Sequence, residues 1–169
     1  MKRLIVMRHG KSDWTSATAG DHGRPLSDRG KTAAKAMGVV LSRADEQPDL
    51  VITSTATRAR DTAMLAAESG GWSCRIEETE RLYLSGPGET LAVASTATDD
   101  VGRLLIVGHQ PTCGDLIFRL TGGIVQIKTG TVVGLDLAID AWDDVSDAEA
   151  TIGWVLQPRM FTDHDIEVR

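Results

Sequence analysis

Residues 4–14 read LIVMRHGKSDW, and the fold turns on how that stretch is taken. Four apolar residues, Leu4-Ile5-Val6-Met7, stop at once on Arg8, His9 and Gly10. A short continuous apolar run of this kind is what a strand buried on both faces looks like. The guanidinium and imidazole that follow have two readings. One is a strand end turning to solvent, where polar residues and glycine are ordinary; the other is a pair of side chains delivered to a site. Short patterns recur by chance, so this stretch alone leaves both open.

The same punctuation returns along the chain. Buried-strand patterns lie at DLVIT (49–53), more weakly at WSCRIEE (72–78), and clearly at RLLIVGH (103–109). Between them lie helical patterns. After a polar, Gly-containing loop (15–26), Ser27 is a candidate N-cap with Asp28 in the first turn, and Ala33, Met37, Val40, Leu41 and Ala44 share a face before Pro48 ends the segment. Ala59, Ala63, Ala66 and Ala67 recur at helical spacing up to a Gly70-Gly71 stop. PGETLAVASTATDD (87–100) reads as a helix with Pro87 and Glu89 in its first turn, and PTCGDLIFRLTGG (111–123) as one opened by Pro111. GTVVGLDLA and TIGWVLQP then follow with only the acidic IDAWDDVSDAEA between them, which predicts an antiparallel strand pair. Fourfold strand–helix alternation implies an α/β three-layer sandwich. Its central sheet is mainly parallel, helices cover both faces, and the C-terminal pair is antiparallel. With no repeat or linker composition, residues 1–169 read as a single domain.

At 169 residues the chain can bury roughly two-thirds of the surface its unfolded form exposes. A net charge of −6 argues against broad nucleic-acid binding, which needs a basic face, yet leaves room for a small basic pocket. Cys74 and Cys113 are too few for a disulfide framework and lack metal-site spacing, so both read as buried thiols in a reducing compartment. The first apolar run is too short for a secretory signal, and no segment approaches the roughly 20 apolar residues of a membrane helix. The expectation is a cytoplasmic protein with no membrane partner; nothing in the sequence sets an oligomeric state.

In a parallel sheet every strand ends at one edge, and ligands bind in the crevice beyond it. Arg8 and His9 lie just past the first strand, Arg58 at the start of the helix after the second, His109 at the end of RLLIVGH, and Glu80 and Arg81 after the third. Each alone is most simply a solvated or structural residue. Two Arg and two His at one edge of an acidic protein repel one another unless an anion sits among them. Helix N-termini after the second and fourth strands add partial positive charge aimed the same way. Arg suits a phosphoryl group because its planar fork holds two oxygens at once.

With these residues in place, LIVMRHGKSDW resembles the first-strand motif of the histidine phosphatase superfamily, which includes the cofactor-dependent phosphoglycerate mutases. STATRARDTA resembles the second-strand motif at Ser54, Arg58, Ala59 and Thr62, ETERLY the acid motif at Glu80, and LLIVGHQP the last motif at His109. The likeness runs from residue 2 to about 120. Small size and GRPLSDRGKTAAKAMG (23–38) look most like the SixA-type protein-phosphohistidine phosphatases. Two positions depart from the pattern: Thr15 stands where many members have Asn, and Thr55 where many have Pro.

The resemblance implies a metal-independent and cofactor-independent phosphatase. His9 is the nucleophile that forms a phosphohistidine intermediate. Arg8 and Arg58 flank it, lower its pKa and, with His109, hold the phosphoryl oxygens. Gly10 offers its carbonyl to the second ring nitrogen, Thr15 is an extra donor, and Glu80 is the general acid and base. The expected substrate is phosphohistidine on a protein partner, or else a small phosphorylated metabolite. Lys11, Asp13 and Trp14 have two readings, the mouth of the pocket or, at least as readily, a solvated loop. His22, Arg24 and Arg81 read first as surface residues, His164 as incidental, and Cys113 as an inert thiol. Rival classes fit less well. A metallohydrolase would set a guanidinium against its ion, a passive phosphate-binding module has no use for His9 with Glu80, and a mutase needs a lid for which no insertion is long enough.

Overall fold

The computed structural model describes residues 1–16 and 20–162. In chain order the elements are β1 (Lys2–Arg8), α1 (Gly20–Gly23), α2 (Asp28–Arg43), β2 (Leu50–Ser54), α3 (Thr57–Gly70), β3 (Arg75–Thr79), α4 (Pro87–Ala94), β4 (Arg103–Gly108), α5 (Thr112–Thr121), β5 (Val132–Leu137), β6 (Ala150–Leu156) and α6 (Arg159–Thr162). A 3-10 turn, Glu80–Leu82, follows β3, and a second, Trp142–Asp147, joins β5 to β6.

The strands form one sheet in the order β3-β2-β4-β1-β5-β6. β1, β2, β3 and β4 are parallel, while β5 runs antiparallel to both β1 and β6. Alternation along each strand divides the core. Leu4 and Val6 of β1, with Leu104 and Ile106 of β4, pack against Leu91 of α4, Leu116 and Ile117 of α5, and Trp142. Ile5 and Met7, with Leu105 and Val107, pack against Met37 and Leu41 of α2 and Ala59 and Ala63 of α3. Helices therefore cover both faces, as the alternation predicts.

Two helices differ from the sequence expectation. The buried face of α2 is Gly30, Ala34, Met37, Gly38 and Leu41, whereas Ala33 and Val40 are half-buried and Ala44 is an exposed C-cap. The face rotates because α2 lies very close to α3: a Cβ on Gly38 would stand 2.0 Å from the carbonyl oxygen of Ala66. α4 stops at Ala94, short of residue 100, where the hydroxyls of Ser95 and Thr96 turn back onto the carbonyls of Ala92 and Val93. Cys113 is buried as expected and Cys74 is half-buried. Burial lifts the Cys113 thiol to about 12, so it is inert at neutral pH. Among the described residues no helix is long and apolar enough to cross a membrane.

Candidate active site

Register sets the site. Met7 pairs with Val107 and Arg8 with Gly108 in the parallel β1–β4 ladder, so the next residue on each strand is a histidine. The His9 amide donates to the Gly108 carbonyl at 3.0 Å, and the rings of His9 and His109 lie 5.2 Å apart between centroids. β2, on the far side of β4, delivers Ser54 and then the first turn of α3, which carries Arg58. Arg8, His9, Arg58 and His109 line one open cavity of about 560 Å³.

His9 is only 7% exposed. Its Nδ1 lies 2.7 Å from the Gly10 carbonyl oxygen, and its Nε2 lies 3.3 Å from Arg58 Nε. A carbonyl only accepts and a guanidinium only donates, so Nδ1 carries the proton and Nε2 presents its lone pair. Burial pushes the His9 pKa down to about 3, against a rise from the Gly10 hydrogen bond, with smaller downward contributions from His109, Arg58 and Arg8. The depression expected from the arginines is therefore mainly a desolvation effect. Either way the ring is neutral, and its unprotonated Nε2 holds a lone pair that faces the Arg58 Nε–H.

Gly10 holds this geometry twice. Its amide donates to Thr62 Oγ1 at 2.9 Å, and it has no room for a side chain: a Cβ there would lie 2.7 Å from the carbonyl oxygen of Gly30 in α2. Gly30 is equally constrained, since its Cβ would fall 2.1 Å from the Lys11 carbonyl oxygen.

Arg58 is 5% exposed and held on two sides by one residue. Its Nη1 donates to the Asp21 carbonyl at 2.6 Å and its Nη2 to Asp21 Oδ2 at 3.3 Å. The same carboxylate accepts from the Tyr83 hydroxyl at 2.6 Å and from Arg24 Nη1 at 2.8 Å. The Tyr83 hydrogen bond foremost, with the Arg58 and Arg24 charges, holds Asp21 down at about 2. Among the described residues Arg8 by contrast has only the Ile127 carbonyl for its side chain, at 3.1 Å, and its Nε is buried without a partner. His109 Nε2 meets Ser54 Oγ at 2.8 Å while Nδ1 is buried and unpartnered among the described residues. Burial first, then the Arg58 charge, lowers His109 to about 4. Among the described residues, one buried and one half-buried imidazole and two guanidinium groups thus surround one cavity, with Arg8 Nε and His109 Nδ1 unpartnered. That arrangement suits a tetrahedral oxyanion.

Other sequence-predicted residues divide. Lys11 and Trp14 do line the cavity, Trp14 being 76% exposed. Arg24, read as a surface residue, also lines it: its Nε donates to Ser12 Oγ at 3.0 Å and its guanidinium carbon lies 3.6 Å over the Trp14 ring. Thr15 is not brought in: it is exposed, and its hydroxyl donates to Asp13 Oδ1 at 2.6 Å. Asp13 is spent on that contact. His22 meets Thr55 Oγ1 at 2.9 Å, and Arg81 turns to Glu89 at 2.5 Å. Glu80 begins the 3-10 turn after β3, exposed and outside the cavity wall. β3 is two strands from β4, so the Glu80 backbone starts about 10 Å to one side at ordinary strand spacing. His164 lies outside the described residues. The sequence reading missed Gly30, Asp21, Tyr83 and Lys128; Ser54 matched a motif without its tie to His109 being legible. Among the described residues, no three His, Cys, Asp or Glu side chains are grouped to hold a metal ion.

Comparison with known proteins agrees with this geometry. Residues 4–83 match the histidine phosphatase superfamily (branch 1). An uncharacterised protein of Mycobacterium tuberculosis is 39% identical over 114 residues, covering 68% of this chain and 69% of its own. A structure from Nakamurella multipartitia, provisionally named a phosphohistidine phosphatase SixA, superposes with a TM-score of 0.83 at 28% identity, covering 93% of this chain and 96% of that one. The protein histidine phosphatase SixA complexed with tungstate has the same fold, with a TM-score of 0.79 at 22% identity and coverage of 92% and 97%. The strand-end arginines and histidines, the sheet that presents them and these likenesses agree: the chain belongs to the histidine phosphatase superfamily.

Proposed function

We propose that this phosphatase works through a covalent phosphohistidine at His9 Nε2, without a metal ion, and that its substrate is phosphohistidine on a protein. The carrying observation is the fixed tautomer of His9, with Nδ1–H on the Gly10 carbonyl and the Nε2 lone pair facing Arg58. In the first step that lone pair forms a bond to phosphorus while the bond to the leaving group breaks in line, and the leaving group takes up a proton. In the second, water attacks phosphorus, the P–Nε2 bond breaks, and inorganic phosphate departs. Arg8, Arg58 and His109 donate to the three equatorial oxygens through both steps.

His9 lies at the floor, so in-line attack directs the leaving group outward to the mouth. An acid for it belongs on that side, and we assign this role to Glu80, exposed at the same sheet edge. The open cavity, with only the Glu80–Leu82 turn and α4 between β3 and β4, leaves room for a phosphorylated side chain of another protein. A small phosphorylated metabolite would use the same floor.

Incubation with radiolabelled substrate and rapid acid-free quenching should trap a phosphoenzyme that is alkali-stable and absent in His9→Ala. Chelator should leave turnover intact. Comparison of kcat/KM for a histidine-phosphorylated protein and a panel of phosphorylated metabolites tests the substrate: a metabolite preferred by orders of magnitude overturns the protein assignment and leaves the His9 chemistry standing.

A further inference from the structure

Beside the phosphoryl cavity lies a second open one, of about 470 Å³, walled by the first turns of α2, the segment before β5 and the start of α6. Lys11, Arg29 and Lys128 line both cavities, and Arg159 lines the second alone. Against these four cations stands, among the described residues, one carboxylate, Asp28, whose Oδ1 is already 4.0 Å from Lys31 Nζ. All four cationic residues are exposed, and among the described residues none is in an ion pair. In a chain of net charge −6 this is a local reversal of sign, set directly against the reacting group. The chemistry at phosphorus makes no use of Arg159.

We propose that this second cavity docks carboxylate side chains of the phosphorylated protein, so that the enzyme selects a phosphohistidine set in an acidic surface. The proposal rests on the protein-substrate reading above. It is favoured over a second anion of a small molecule by the kind of cation involved. Of the two arginines that grip the phosphoryl group, Arg58 is buried and held by Asp21, and Arg8 is half-buried with its guanidinium on the Ile127 carbonyl. The four on the shelf are long and exposed, and among the described residues none is in an ion pair. Exposed cations each bind a single anion weakly, but together they steer and register an acidic surface.

The test uses Thr32→Glu/Arg159→Glu, both exposed and both on the wall of the second cavity only. Its aryl phosphate kcat/KM should stay within about twofold of the parent, since both changes are solvent-exposed and outside the phosphoryl cavity, where charges are screened. Poly-L-glutamate, which carries no phosphate, should competitively inhibit aryl phosphate hydrolysis by the parent at low ionic strength. That inhibition should weaken roughly tenfold in the variant and fade with added salt. Absence of inhibition in the parent, or equal inhibition of both proteins, overturns the docking assignment. Citrate inhibiting as strongly as the polymer, and losing as much in the variant, would assign the shelf to small-molecule carboxylates instead and overturn the protein source. Failure of the phosphohistidine reading shows separately, as a parent enzyme inhibited by poly-L-glutamate yet inactive on any histidine-phosphorylated protein.

Discussion

Single atoms decide the chemistry here. His9 Nε2, the proposed nucleophile, keeps its lone pair because Nδ1 has a carbonyl to donate to and because burial refuses the ring a second proton. Replacing His9 with Ala should abolish turnover and leave the fold intact by circular dichroism; near-normal turnover would overturn the assignment. Glu80 can be tested by the leaving group. An alkoxide needs a proton, whereas imidazole is a weak base with a pKa of about 6.5, so Glu80→Gln should slow phosphoester hydrolysis roughly 10²–10⁴-fold and phosphohistidine hydrolysis much less. Equal losses on both, or none on either, would remove Glu80 from the mechanism. Ser54 is fully buried, its hydroxyl between His109 Nε2 and the Ala56 amide, and we assign it a positioning role. Ser54→Ala should cost about 1–3 kcal/mol of stability for the orphaned groups. It should also lower kcat for aryl phosphate more than it raises KM, because the His109 ring loses its anchor and the arginines do not. A change in KM alone would show that Ser54 only shapes binding.

At the scale of elements, what the sequence revealed was strand ends. LIVM, LVIT and LLIVG are apolar runs whose termini fix where the next residue must lie, so Arg8, His9, Arg58 and His109 could be placed at one edge without any contact known. What it hid arrives by other routes. Asp21 sits in a polar segment with no periodicity, yet it clamps Arg58. Lys128 reaches the cavity because β5 pairs antiparallel with β1, a neighbour no local pattern announces. Glycine was the largest blind spot on α2, since a hydrophobic pattern counts Ala33 and Val40 but cannot count Gly30 and Gly38, the residues whose missing side chains let the helix in. Gly30→Ala tests this. Alanine would normally stabilise a helix interior by about 0.5–1 kcal/mol, but here its Cβ meets the Lys11 carbonyl oxygen at 2.1 Å. Overpacking of that kind costs about 1–3 kcal/mol, so the net expectation is destabilisation. Activity should fall too, because the backbone that yields is the one following His9. Thermal unfolding above the parent's temperature with unchanged kcat would show that α2 does not seat the catalytic loop.

Across the whole molecule, acidic charge is spread over the surface while uncompensated basic character gathers at one sheet edge, and the fold stabilises that edge by keeping its histidines uncharged. This has a signature in acid. The folded pKa values of His9 and His109 are lowered to about 3 and about 4, from an ordinary value of 6.5. Above pH 6.5 both are neutral whether folded or not, and they contribute no pH dependence. As pH falls through 6.5 the unfolded chain takes up protons that the folded one refuses, so stability drops, by up to ~1.4 kcal/mol per pH unit for each histidine. Asp21 acts in the same direction but lower on the scale: its lowered pKa, about 2 against 3.8, stabilises the fold above pH 3.8 and that contribution is lost only below it. The window from pH 6.5 to 4 therefore belongs to the two histidines. Urea unfolding across it should show falling stability in the parent, a shallower slope in His9→Gln, and a nearly flat line in His9→Gln/His109→Gln. Inorganic phosphate should also flatten the parent's slope, because an anion between Arg8 and Arg58 favours imidazolium in the folded state. A double variant that keeps the full slope would mean that other groups carry the acid sensitivity, and that the neutral histidines at the sheet edge are not what the fold is protecting.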